Sequence, residues 1–180
     1  MTEPTPPEFL PLAWTTPNGT ALTLRQIRAD DVALLTAFVG GLSYGARYFR
    51  YGRGDIEFTA EEFRHICTPN PRECVHLLVV KSDGAESTVV ASARIVFAEG
   101  DAACEVATTV ADAWQLHGIG KRLIDALFDQ ARVRNMTEMH GRILASNRRM
   151  IEFMRRRGFA IADSAEGPSL KIARRAILKI

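Results

Sequence analysis

Between residues 119 and 132 apolar residues recur at helical spacing. Ile119, Gly120, Leu123, Ile124, Leu127, Phe128 and Ala131 share one face, and Lys121, Arg122, Asp125, Asp129 and Arg132 share the other. That period predicts an amphipathic helix lying on a core. Elsewhere the period changes. Residues 21–27 set Leu22, Leu24 and, less cleanly, Gln26 against Thr23 and Arg25, which predicts a strand. Residues 75–81 are a largely apolar run, and 88–97 and 104–110 read as the next two strands. Ser82-Asp83-Gly84 and Glu99-Gly100-Asp101 supply the turns between them. Residues 138–144 predict another strand, and 159–162 and 170–178 predict two final ones joined by a Gly-Pro turn.

Capping residues mark the remaining helices. Ala29-Asp30-Asp31 precedes a stripe of Val32, Leu34, Leu35 and Phe38 that Gly40-Gly41 stops. Ser43 caps a short helix through Phe49, and Thr59-Ala60-Glu61-Glu62 reads as a capping box opening a helix toward Cys67. Asn147 opens a helix to Arg157, closed by Gly158. The order is strand, helices, three strands, helix, strand, helix, two strands. It predicts an α/β fold, a central mixed, twisted sheet with helices on both faces.

Composition narrows the reading. At 180 residues, 47% apolar and 24% charged, the chain is read as one domain over 18–180 behind a flexible, proline-rich arm at 1–17 that becomes ordered only near Phe9 to Trp14. The net charge of +2 is too small to argue for nucleic acid. Arg148-Arg149 and Arg155-Arg156-Arg157 form a basic cluster, read either as a solvated helix face or as a contact for phosphate or an acidic partner. No apolar run approaches the roughly 20 residues that cross a bilayer, so no membrane role is expected. The N-terminus lacks the pattern of a secretory signal. Three cysteines, an odd and sparse set, fit a reducing cytoplasm. His65, Cys67, Cys74 and His76 could pair as zinc ligands, but their spacing is not a usual finger pattern, and no metal is expected.

The stretch from Val110 to Lys121 carries the clearest chemistry. A strand ends, the chain turns through Gln115-x-x-Gly118-x-Gly120, and the long helix begins. The first helical amides have no intrahelical partner and sit at the positive end of the helix dipole. Such a turn favours phosphate oxygens. The donors would be the amides of Leu116, His117, Gly118, Ile119, Gly120 and Lys121, with Lys121 adding charge or simply lying in solvent. The turn is neither a Walker A loop nor a dinucleotide fingerprint.

This strand, turn and helix resembles the acetyl-CoA signature of the GNAT N-acetyltransferase superfamily. A second block resembles the family's next strand, its helix-capping Asn and its closing Gly-Phe: Leu144-Ala145-Ser146-Asn147, Met150-Ile151 and Arg157-Gly158-Phe159. Leu24 to Asp31, Leu42-Ser43-x-x-x-Arg47-Tyr48-Phe49-Arg50 and Glu105-Val106-Ala107 followed by Trp114-Gln115 extend the likeness. They resemble the acetyltransferase module of bacterial protein-lysine acetyltransferases. In that group the module is often fused to an acyl-CoA-synthetase-like part, and the residues matched here are those of the module alone.

The resemblance implies a GNAT fold, acetyl-CoA as cosubstrate and an amine acceptor. It implies that the pantetheine arm lies along Thr108 to Val110, with a backbone N–H near Thr108 or Thr109 facing the acetyl oxygen. It implies Gln115 to Lys121 as the pyrophosphate cradle. Asn147 either bonds the cofactor or serves only as a helix cap. A lysine amine, with a pKa of roughly 10.4, loses on the order of 4–5 kcal/mol of reactivity at pH 7 if its proton stays. A carboxylate general base is therefore needed. Glu105 is the candidate, against the alternative of a structural salt bridge. Ser43, Arg47 and Tyr48 either shape the acceptor side or pack a helix. Many family members carry a Tyr seven residues after the Asn, where this chain has Met154, which cannot donate a proton. The expected acceptor is a protein lysine. A small amine, or acyl-CoA sensing without catalysis, is the alternative, and an exposed final strand offers a route to a homodimer.

Overall fold

The computed structural model describes residues 9–84, 86–98 and 100–178. Eight strands form one sheet: β1 (Leu12–Thr15), β2 (Ala21–Gln26), β3 (Cys74–Asp83), β4 (Glu86–Phe97), β5 (Ala103–Val110), β6 (Glu138–Leu144), β7 (Ala160–Ser164) and β8 (Gly167–Ala176). Five helices accompany them: α1 (Val32–Gly41), α2 (Tyr44–Tyr51), α3 (Ala60–Cys67), α4 (Ile119–Val133) and α5 (Arg148–Arg156). The spatial order is β1-β2-β3-β4-β5-β6-β8-β7. Every neighbouring pair is antiparallel except β5 and β6, which the crossover helix α4 joins in parallel. The sheet is mixed, and helices cover both of its faces.

The continuous apolar run of β3 follows from that covering. Val75, Leu77 and Val79 pack in one core with Leu123, Ile124 and Leu127 of α4. Leu78 and Val80 pack in a second core with Leu35, Phe38 and Phe63 of α1 and α3. A strand buried on both faces loses polar alternation. The helix caps form as the side chains require. Ser43 Oγ accepts from the Ala46 N–H, and Thr59 and Glu62 make a reciprocal capping box. Asp31, buried, accepts two bonds from the Arg25 guanidinium and one from the Arg28 N–H, tying β2 to the start of α1.

Two readings need correction, and a third gains detail. In the segment read as an arm ordered only near Phe9 to Trp14, β1 pairs with β2, Phe9 is buried and the Arg122 guanidinium lies 4.8 Å from the Trp14 ring. Residues 1–8 of that segment lie outside the described residues. The last hairpin turns at Ala165-Glu166, before Gly167-Pro168, because Gly167 takes a φ of 130° and Pro168 is already within β8. The final strand is not an exposed edge. It lies between β6 and β7, so β7 and β1 are the edges. Glu99, read as part of a turn, lies outside the described residues. Among the described residues no helix is long and apolar enough to cross a membrane.

Candidate active site

β5 and β6 pair at only three positions, from Ala103↔Glu138 to Glu105↔His140. On its other side β5 stays laddered to β4 as far as Val110, and β6 stays paired to β8 as far as Leu144. Beyond Glu105 the two central strands therefore part. Gly141 sits where the wedge opens, and a Cβ there would lie 3.0 Å from the Val106 carbonyl oxygen. A cavity of about 250 Å³ occupies the wedge. Its walls come from β4, β5 and β6, from Phe49 and Arg50 of α2, and from Asn147, Met150 and Met154 around α5.

The backbone of β5 is turned toward this wedge. In an antiparallel ladder alternate residues point their N–H and C=O groups at the partner strand. Just past β5, Ala111 N–H donates to Val90 O of β4 at 3.0 Å. The Val110 carbonyl instead accepts from Gln115 Nε2 at 3.1 Å, and the Val106 carbonyl faces Gly141. Residues 106, 108 and 110 thus present their main-chain groups to the wedge, and Thr108 rather than Thr109 supplies the N–H. Thr108 Oγ1 lines the same cavity, buried and without a hydrogen-bond partner among the described residues. An unpaired buried hydroxyl is uncommon, and a ligand's polar group would satisfy it.

Beyond the end of β5 the turn before α4 holds an unfavourable backbone conformation. Leu116 (φ 68°) and Gly118 (φ 76°) are both left-handed, a conformation unfavourable by about 1–2 kcal/mol for a residue with a Cβ. Leu116 is nevertheless 91% exposed, so packing does not explain its conformation. Among the described residues, none of the six successive amides from Leu116 to Lys121 has a hydrogen-bond acceptor. Side chains brace the turn. Gln115 bonds Val110 on one side and accepts from Arg149 Nη1 of α5 at 2.6 Å on the other. His117 Nδ1–H donates to the Gln115 carbonyl at 2.9 Å. Ile119 is buried in the core, and Gly120 leaves room for the Phe153 ring, which a Cβ would meet at 3.3 Å. Lys121 pairs with Asp125 at 2.7 Å on the exposed side of α4.

At the closed end Glu105 Oε1 accepts from Arg142 Nε at 3.3 Å, and Arg142 also pairs with Glu166 at 3.5 Å. Glu105 Oε2 has no partner among the described residues, and the side chain is 41% exposed to the cavity and solvent. Asn147 Oδ1 accepts from the Met150 N–H at 3.1 Å as a helix cap, which leaves its Nδ2 group unengaged. Met154 is buried.

Residues 37–159 match the sequence model of the acetyltransferase (GNAT) family. This chain belongs to that family. The GNAT domain of S. lividans PAT is similar in fold, with a TM-score of 0.80 at 20% identity, covering 92% of this chain and 96% of that one. An α-N-protein acetyltransferase of ribosomal L7/L12, solved in complex with coenzyme A, gives 0.69 at 16% identity, over 87% and 94%. A cAMP-binding acyltransferase from Mycobacterium smegmatis gives 0.61 at 22% identity, over 94% of this chain and 48% of that one.

Within this GNAT chain Glu105, Thr108 and Asn147 line one cavity, and Gln115, outside that lining, is tied to the end of β5 through the Val110 carbonyl. Sequence reasoning gave no role to four arginines near the cavity. Arg149 braces Gln115, Arg142 pairs with Glu105, and Arg50 and Arg94 line the cavity. Arg149 carried a signal as part of the basic cluster and Arg50 as the last residue of the Leu42 to Arg50 motif, while Arg94 and Arg142 carried none. Arg47 is a brace, donating to the Gly54 and Leu42 carbonyls at 2.8 Å each. Ser43 N–H also donates to Asp112 Oδ2 at 3.3 Å, so α2 is fastened to the segment before the glycine turn. The His65, Cys67, Cys74 and His76 quartet does not converge, since among the described residues no three potential ligands cluster. Burial, with Glu138 adding to it, pushes the Cys104 thiol up to about 12, which leaves it no thiolate for attack at neutral pH.

Proposed function

We propose that this protein transfers the acetyl group of acetyl-CoA to the amine of a protein lysine. The observation that carries the reading is the parted pair β5 and β6 with six unengaged amides at its mouth. The residues fit the cosubstrate. The amides of 116–121 offer donors to a pyrophosphate, and the free edge of β5 at Thr108 and Val110 can pair with an extended amide chain. The unpartnered Thr108 hydroxyl and Asn147 Nδ2 offer further polar contacts. Bound acetyl-CoA would supply an activated thioester carbonyl.

The chain's own residues do the rest. Thr108 N–H is aimed where negative charge develops on that carbonyl. Glu105 removes the acceptor's proton, directly or through one water, using the oxygen that Arg142 leaves free. Arg142 holds the other oxygen and so fixes the carboxylate's orientation. Met154 offers no proton to the departing thiolate. A thiolate is only moderately basic, and water at the cavity can meet it. The buried Met154 also favours a second reading, in which the domain binds acyl-CoA without turning it over.

Calorimetry with acetyl-CoA, followed by mass spectrometry of lysine-containing proteins, peptides and small amines, separates these readings. Saturable binding with a mass gain on lysine supports the proposal. Transfer confined to small amines would overturn the protein acceptor. Binding with no transfer across broad panels would leave the sensor.

A further inference from the structure

The cavity carries more positive charge than binding acetyl-CoA at its far end requires. Arg50, Arg94 and Arg142 line it against one carboxylate, Glu105, which Arg142 already engages. Arg50 lies in the last turn of α2, partly buried, with its guanidinium 4.9 Å from the Tyr51 ring. Among the described residues neither Arg50 nor Arg94 has a hydrogen-bond acceptor or a carboxylate in contact. Arginines as buried as Arg50 are engaged elsewhere, Arg25 by Asp31, Arg134 by Gln130, and Arg175 by the Arg157 carbonyl, whereas Arg94 is exposed.

Register puts Arg94 near the proposed base, and Arg50 lines the same cavity from α2. Arg94 is opposite Ala107, and Val96, two residues on, is opposite Glu105. Arg94 and Glu105 therefore share one sheet face, the face that carries His76 opposite Arg94 and that α1 to α3 cover. Neighbouring groups register the positive field. His76 is pushed down to about 4 by burial and then by Arg50 and Arg94. Burial holds the Arg50 guanidinium below its ordinary value, and Arg94 lowers it further against the opposing pull of Tyr51 and Glu105.

An ammonium entering this cavity meets repulsion from three guanidinium groups and attraction from one carboxylate. A carboxylate carried next to the amine reverses that balance, and a guanidinium fork matches its geometry. We propose that Arg50 and Arg94 form a carboxylate-binding pair, so that the preferred acceptor amine has an acidic group immediately beside it. The inference rests on the acetyl-transfer reading and names its substrate class. The carboxylate could come from an Asp or Glu flanking a lysine, or from the α-carboxylate of a small amino acid. A carboxylate on the acyl chain is the competing assignment. The pair's place on the Glu105 face, away from the α4 turn, favours the acceptor.

The test compares kcat/KM of the full chain, with acetyl-CoA, for a peptide with lysine between acidic residues, the same peptide with alanines, and free amino acids. The acidic peptide or the free amino acids should exceed the alanine peptide by about ten- to a hundredfold, and which of them does so identifies the carboxylate's source. Arg94→Gln, at an exposed position, should erase most of that preference while changing the alanine peptide little, and Arg50→Gln should do the same. Equal rates for wild type on all acceptors would overturn the pair, as would a preference that survives both substitutions. A succinyl-CoA preference over acetyl-CoA with the alanine peptide, lost in Arg94→Gln, would move the carboxylate to the acyl chain and overturn the acceptor assignment. Calorimetry with the same peptides keeps the two readings apart. If no amine is acetylated yet the acidic peptide binds more tightly and loses that advantage in Arg94→Gln, acetyl transfer fails and the carboxylate pair stands.

Discussion

At the α4 end of β5 the unengaged groups are main-chain amides, Leu116 to Lys121, supplied by one unbroken stretch of chain. About 16 Å back along the strand, at five residues of roughly 3.3 Å each, the facing groups are side chains from separate elements. Arg50 comes from α2, Arg94 from β4, Glu105 from β5 and Arg142 from β6. The difference teaches where each kind of site is robust. An amide donor survives almost any side-chain replacement and is lost only when the backbone path is disturbed. A side-chain site loses its chemistry with one substitution while the fold stands. The first arrangement suits a ligand that never changes, and the second suits one that selection can tune.

Four measurements sharpen that contrast, beginning with the largest expected effect. Glu105→Gln keeps shape and hydrogen bonding but removes the base. Turnover should fall by about 10²–10⁴, while acetyl-CoA affinity measured by calorimetry stays within error. Unchanged turnover would reduce Glu105 to a structural partner of Arg142.

Asp31→Asn tests the tie between β2 and the start of α1. It leaves the Arg25 guanidinium without its buried counter-charge and should cost about 3–5 kcal/mol in chemical denaturation. Burial acts to raise the Asp31 carboxyl, but the bonds from Arg25 and Arg28 outweigh it and hold it below its ordinary value of 3.8. A carboxyl depressed in the folded state stabilises above its unfolded value and loses that contribution as pH falls through the folded value. Wild type should therefore lose stability below about pH 4, and the variant's unfolding should lack that component.

At the other end Gly118→Ala forces a Cβ into the left-handed region. The strain of about 1–2 kcal/mol should weaken acetyl-CoA binding roughly tenfold, with the acceptor preference retained. The smallest effect belongs to Lys121→Met. Lys121 is exposed and paired with Asp125, and such surface pairs contribute little. Coenzyme A affinity should change by less than about threefold. A large loss would mean that charge, rather than the amides, dominates the cradle.

Legibility followed the same division. The caps at Ser43, Thr59 and Asn147 stand where the sequence placed them, because a cap is a contact within a few residues. The helix α4 and the glycine turn were readable for the same reason, since period and backbone freedom are local properties. The strand β1 was not. It is four residues long between Pro11 and Pro17, and its stability comes from pairing with β2 and from the Trp14–Arg122 contact, neither of which has a local signature. The order of the last two strands was equally hidden. A hairpin reads the same in sequence whichever of its strands is inserted in the sheet.

The sequence by itself therefore determined the alternation of strands and helices, the glycine turn before α4 and the isolated carboxylate at Glu105. Those properties depend on neighbours within one or two turns of chain. Only the tertiary structure decided that β5 and β6 part just beyond Glu105, that Thr108 turns its N–H into the gap, and that Arg50, Arg94 and Arg142 gather around it. These arise where segments tens of residues apart meet, and the strand register that brings them together is a property of the whole sheet.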